Sequence, residues 1–175
     1  MRWLFLCLGL FGVMGCDSND LIDDLIEEQV DAGPIDQSFA EEAVRHTNLA
    51  RAVSQQCGNT AYDAVPPMNW SDQLAEAALA HSMDMAAYNY FDHTNQQGEG
   101  PGPRIERTGY VARTWGENIA AGYGSLEAVV AGWIDSPGHC ANIMNGGFTE
   151  FAVAVAENQN TAYGSYWTMV LAAPR

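Results

Sequence analysis

Apolar positions at Phe39, Ala43, Val44, Thr47 and Ala50 keep a period near 3.6 and predict a first helix, capped by Asp36 or Ser38. It stops before Cys57-Gly58-Asn59, and a loop follows to Pro66-Pro67. Ser71 then caps a second helix, with Asp72 favourable in its first turn. Leu74, Ala77, Ala78, His81, Met85 and Tyr88 line one face of it. The stretch Thr94 to Pro103 is rich in Gly, Gln and Pro and reads as an exposed loop, with a turn or two over Arg104 to Thr108, closed by Gly109. A third helix runs over Leu126 to Ile134 after Ser125, and Ser136-Pro137 opens a short fourth one. After Asn145-Gly146 the period switches to two. Phe148 to Val155 and Tyr166 to Ala172 alternate as strands, joined by a hairpin loop over Asn158 to Gly164, with one more strand around Tyr110 to Thr114. Helices early and strands late predict an α+β fold.

The first residues follow a different pattern. Arg2 precedes an apolar stretch from Trp3 to Met14 that is too short to span a bilayer comfortably. It ends in Val13-Met14-Gly15-Cys16, small and apolar positions before a cysteine, as a bacterial lipoprotein processing site requires. Residues 1–15 are therefore read as a signal peptide and Cys16 as the lipidated residue. Residues 16–36 read as an acidic stalk, with eight acidic residues and no basic one. Leu21, Ile22, Leu25, Ile26 and Val30 fall at helical spacing within it. Residues 37–175 form the one globular domain that this length allows.

Charge narrows the partners. The formal net charge is -15, and all the basic residues are arginine. So acidic a surface repels phosphates and excludes nucleic acid as a partner. Anionic headgroups repel it as well, so membrane attachment has to come through the N-terminal lipid. Nothing in the exposed pattern demands a dimer, and a monomer is expected. With Cys7 removed in the signal and Cys16 lipidated, Cys57 and Cys140 remain as an even pair in an oxidising compartment and are expected to form a disulfide.

Candidate chemistry rests on His93, Glu117 and His139. His93 lies in Phe91-Asp92-His93-Thr94-Asn95, just past the second helix. His139 lies in the first turn of the fourth helix, where the positive helix end favours a neutral imidazole. Glu117 stands in Trp115-Gly116-Glu117-Asn118-Ile119-Ala120, an acid in an apolar, tightly turned segment, and such an acid is usually paired or bound to something. These three side chains either converge on one cation, with water completing its shell, or are satisfied by ordinary hydrogen bonds. The residue pattern by itself favours the second. His81, mid-helix on an apolar face, reads as a packed core histidine, and His46 as a surface residue.

In order along the chain stand Asn48-Leu49-Ala50-Arg51, Asn69-Trp70-Ser71, Ala80-His81-Ser82, Phe91-Asp92-His93-Thr94-Asn95, Gly116-Glu117-Asn118-Ile119-Ala120, Gly132-Trp133, Ser136-Pro137-Gly138-His139 and Tyr166-Trp167-Thr168. This ordered set resembles the bacterial branch of the CAP superfamily of cysteine-rich secretory proteins, antigen 5 and pathogenesis-related protein 1, also called SCP domains. The resemblance covers about Phe39 to Ala172. It implies an α-β-α sandwich with a small antiparallel sheet between helical layers. It also implies a cleft lined by two histidines and two acids that binds zinc or another divalent cation in several members. The matching positions are His93, His139 and Glu117. Ser136 stands where many eukaryotic members place the second acid, and Asp135 beside it points elsewhere on a helix, so the tetrad is incomplete. Thr47 replaces a histidine that many members place before Asn48, and Asn48 and Arg51 are expected to tie the first helix to the cleft wall. The disulfide would brace the element that presents His139.

These readings leave a ligand-binding module first, taking a small or lipid-like molecule or a wall component. A structural or adhesive surface lipoprotein with a vestigial site comes second. A metal-dependent hydrolase, with candidate catalytic residues His93, Glu117 and His139, comes third. The expected location is the cell envelope, on the periplasmic or extracellular face.

Overall fold

A computed structural model describes residues 30–33 and 35–175. The expected signal peptide, the lipidated Cys16 and most of the acidic stalk lie outside the described residues. The end of the stalk does not: Asp31–Ala32 forms a short strand, β1, so ordered structure begins before residue 37.

Helix α1 (Gln37–Arg51) begins where the Asp36 carboxylate accepts the Phe39 N–H at 2.9 Å. The loop predicted after it contains a two-stranded hairpin, β2 (Gln55–Cys57) and β3 (Thr60–Tyr62), turned at Gly58 with φ 62°. After β4 (Asn69–Trp70), helix α2 (Asp72–Tyr88) starts at Ser71 and ends at Asn89 in the left-handed conformation. Helix α3 (Pro101–Arg107) starts earlier than its predicted turn, because a proline in the first turn forgoes a hydrogen bond that the helix start lacks anyway. Helix α4 (Leu126–Asp135) is capped by Ser125, and α5 (Pro137–Ile143) follows with only Ser136 between.

The largest difference from expectation is strand β5. It runs over Ala112–Ala121, so Trp115 to Ala120, read as a tight turn, is mid-strand. Gly116 suggests a turn but has another role. It sits under the Phe148 ring, where an added Cβ would come within 3.1 Å, so the glycine serves close packing.

Strands β5, β6 (Glu150–Asn158) and β7 (Gly164–Pro174) pair antiparallel, in the sheet order β1-β6-β7-β5. Strand β4 adds to β6 in parallel. Alternate residues of β6 and β7 feed opposite layers. Phe151, Val153, Trp167, Met169 and Leu171 pack with α1, α4 and α5 residues such as Ala43, Trp133 and Ile143. Ala152, Ala154, Val170 and Ala172 pack with Leu74, Ala77 and Ala78 of α2 and Ile105 of α3. Both faces are covered, which is why almost every residue of the two strands is buried. The result is the three-layer α-β-α sandwich.

Two internal ties fix the α1 layer. Asn48 bonds the Met68 backbone in both directions at 2.9 Å. The buried Arg51 guanidinium donates to the carbonyls of Pro66, Ile143, Asn145 and Phe148, so a cation without a carboxylate partner is still fully hydrogen-bonded. Cys57 and Cys140 are disulfide-bonded, with their Cα atoms 5.4 Å apart, joining the β2–β3 hairpin to α5 as the cysteine count predicts.

Candidate functional site

Strand β5 is the free edge of the sheet, and the candidate residues gather along it. Glu117 points its side chain toward the α2 layer, where it is 2% exposed. One carboxylate oxygen is 2.8 Å from Nδ1 of His93. The other accepts from the Arg104 guanidinium at 2.8 Å, and Arg104 is itself 4% exposed. Arg104 also donates to the backbone carbonyls of His93 and Glu99, so one cation fixes the acid and the loop carrying the histidine. His81 of α2 stands behind them. Its Nε2 bonds the Asp92 carbonyl at 2.9 Å and lies 4.0 Å from Glu117 Oε1, so the core histidine also backs the site. Tyr90 donates to Asp84 beside it, and burial together with that carboxylate pushes the phenol well above its usual range.

His139 is placed differently. It lies at the α5 start on the other side of β5, where its carbonyl accepts from Asn118 at 3.1 Å. Asn142 ties the same helix to the strand through the Asn118 amide oxygen at 2.8 Å and the Glu117 carbonyl. The His139 ring lines a cleft of about 270 Å³ together with Ser136, Trp133, Tyr123, Phe91 and Tyr163, whereas His93 and Glu117 do not face that cleft. Phe91 and Tyr163 pack against each other at the rim, with ring centroids 5.9 Å apart. Gly132 lets the Tyr123 ring lie against α4, since a Cβ there would collide with the ring.

The three histidines titrate in opposed directions. Hydrogen bonding to Glu117 raises His93 above the ordinary imidazole value. Burial lowers His81, and burial followed by the charge of His93 lowers His139. The His93–Glu117 contact therefore contributes stability that is fully present below the unfolded value near 6.5 and lost as pH rises through the raised folded value. His81 and His139 do the reverse, and stability is lost as pH falls below about 6.5. Urea unfolding of the wild type is expected to show a midpoint that falls from pH 7 to pH 5, and His93→Ala should steepen that fall by removing the opposing contribution. A fall that is unchanged in the variant would contradict the assignment.

Arg104 escapes the sequence motifs, where it stands only as the start of a helical turn. A signal for it exists: a buried acid calls for a cation, and the chain holds only seven basic residues to supply one. This arginine also bears on the metal expectation. Glu117 is not free to ligate a divalent cation, because both its oxygens are already bonded and one holds a fixed guanidinium charge. Ser136 supplies no carboxylate in compensation, and among the described residues no group of three His, Cys, Asp or Glu side chains is placed to hold a metal. No hydrolytic step through a metal is derived from this site.

The three-layer sandwich, with histidines presented on both sides of an edge-strand glutamate, defines an SCP-type domain. Residues 44–171 match the profile of the cysteine-rich secretory protein family, CAP, and the chain belongs to that family. Among curated relatives it is 38% identical over 102 residues to the uncharacterized protein YkwD of Bacillus subtilis (strain 168), covering 58% of this chain and 38% of that protein. It is 35% identical over 88 residues to the uncharacterized membrane protein YlbC of the same organism, covering 50% of this chain and 25% of that protein. The chain thus spans well under half the length of these relatives. An extracellular protein containing an SCP domain from Bacillus anthracis str. Ames superposes with a TM-score of 0.62 at 28% identity, over 80% of this chain and 44% of that one. An outer surface protein from Borrelia burgdorferi superposes with a TM-score of 0.66 at 14% identity, over 83% of this chain and 98% of that one, a likeness of fold alone.

Proposed function

We propose that the protein is a ligand-binding module of the cell envelope, and that the cleft beside His139 takes a small, uncharged or apolar group without the help of a metal. The composition of the cleft carries this reading. In a chain of net charge -15, its lining holds no carboxylate side chain; Ser136 is part of the wall, and His139 is the one imidazole. Aromatic rings at Phe91, Tyr123, Trp133 and Tyr163, with a hydroxyl and an imidazole from the start of α5, suit an amphiphilic ligand. A volume of about 270 Å³ admits roughly one sugar ring or a short acyl segment. That fits a lipid-like molecule or a wall fragment.

The surface setting belongs to the same proposal. Similar structures come from proteins described as extracellular or outer surface, and among the described residues no helix is long and apolar enough to cross a membrane. A lipid on Cys16 and a short acidic stalk would hold a monomeric domain near the bilayer. Labelled palmitate should enter the wild type and not Cys16→Ser.

The cleft itself is tested by heteronuclear NMR with two probes, decanoate and N-acetylglucosamine, in the presence of chelator. One of them is expected to shift the Gly132 and Trp133 amides, with affinity at least tenfold weaker in Phe91→Ala/Tyr163→Ala. If neither probe moves those amides at millimolar concentration, the cleft is not the ligand site and the structural reading takes its place.

A further inference from the structure

A second site lies at the opposite end of β5. The strand's outward backbone groups alternate along its free edge. At Glu117 and Ile119 the outward carbonyls are covered, one by the Asn142 amide and one by the Trp133 indole N–H. Two residues before Glu117, Trp115 has the same outward orientation. Its partner Ala172 turns its carbonyl to Thr149 and away from β5, so Trp115 forms no ladder bond with β7 either. Its N–H and C=O therefore face outward, and no described residue covers them. The free groups of Trp115 lie where the chain surface becomes exposed, from Val111 to Trp115, and within that stretch the Val111 carbonyl is taken by the Arg175 N–H at 3.0 Å.

The side chains there are unusual for this molecule. Trp115 is 46% exposed, and Val111 is exposed beside it. The register slips between Ala112 and Thr114, leaving Arg113 as the extra residue of a bulge, a device that re-aims a side chain at a sheet edge. Arg113 and Arg175 line one groove of about 690 Å³, with Trp115 at one wall and Glu106 as the only acidic side chain lining it. Other arginines are engaged: Arg51 and Arg104 are buried, Arg107 pairs with Glu99 at 2.6 Å, and Arg45 lies near Glu42. Among the described residues Arg113 and Arg175 have no carboxylate within ion-pair distance, although the chain carries 22 acidic residues. Free guanidinium groups, an exposed indole and an open strand edge are the parts of a strand-addition site for an anionic chain.

We propose that Val111–Trp115 is a docking edge for an extended acidic peptide segment of a partner protein. The peptide would add as a short strand beside Trp115, its backbone bonding the free N–H and C=O, with carboxylates facing Arg113 and Arg175. Local charge selects the partner: the groove lining carries two arginines against one acidic side chain, and these cations call for carboxylates. The backbone edge selects a peptide over an anionic glycan, which has no regularly spaced amides to continue a ladder.

The test is fluorescence anisotropy at low salt with the full mature chain, disulfide intact, and labelled peptides. An alternating Glu-Val octapeptide is expected to bind with a dissociation constant below ~100 µM. Affinity should fall at least tenfold for Arg113→Glu and be unchanged for Arg45→Glu, an exposed arginine on α1. The same peptide N-methylated on alternate amides should also lose at least tenfold. Thermal melts of both variants should match the wild type, since neither side chain is buried. The proposal is overturned if the Glu-Val peptide does not bind, if Arg113→Glu binds it equally, or if the N-methylated peptide binds as well as the parent. Binding of polygalacturonate with no binding of the peptide would assign the groove to an acidic glycan instead.

Discussion

Arg104→Met is expected to lower the unfolding free energy by about 3–5 kcal/mol, because it leaves the Glu117 carboxylate buried without its cation. His93 offsets only part of that charge. It is half exposed and bonds only one of the two Glu117 oxygens. Arg104 also holds the carbonyls of Glu99 and His93, so the loop between α2 and α3 should loosen in the variant and lose amide protection. The double variant Arg104→Met/Glu117→Gln should recover much of the loss, since neither member is then left charged and unpaired. Urea unfolding of the two single variants and the double variant measures the coupling. A loss under about 1 kcal/mol for Arg104→Met would show that the pair is solvated and does not organise the site.

Removing the disulfide is the other large effect. Cys57→Ala/Cys140→Ala is expected to cost roughly 4–5 kcal/mol in the chain-entropy model, given a sequence separation of 83 residues. Its local consequence should exceed its global one. Helix α5 has seven residues and no side-chain cap at its start, so it relies on Asn142, on packing and on the link to the β2–β3 hairpin. Loosening it would move His139 relative to the cleft. Guanidinium unfolding with and without reductant measures the first effect, and the His139 ring signals report the second. If reduction shifts stability by less than about 1 kcal/mol, the bond does not brace α5.

Much of this architecture is legible in local sequence. Ser71 and Ser125 announce helix starts through their hydroxyls, and both cap the helices they predict. The period-two runs near the C-terminus become β6 and β7 because alternate residues feed two different layers. What is not legible depends on contacts distant in sequence. Gly116 reads as a turn residue until the Phe148 ring is placed above it. Tiny strands such as β1 and β4 exist only because β6 offers an edge to pair with, and no local pattern encodes that. At the site, the residue pattern of His93, Glu117 and His139 by itself favours ordinary hydrogen bonds, and only their resemblance to a family tetrad implies a shared cation. Folding brings two of them into contact and places the third in the wall of a neighbouring cleft, within range of the charge of His93. The residue that decides between these arrangements, Arg104, belongs to no motif and becomes visible only through its bond to Glu117.

Arg104 supplies beside Glu117 the positive charge that a metal would otherwise supply, and the proposal that the cleft beside His139 works without a metal rests on this. Calorimetric titration of zinc into chelator-treated protein, disulfide intact, tests this most directly. No submicromolar binding is expected, and the trace for His93→Ala should match that of the wild type. Submicromolar zinc binding that disappears in His93→Ala would contradict the assignment and return the site to metal chemistry.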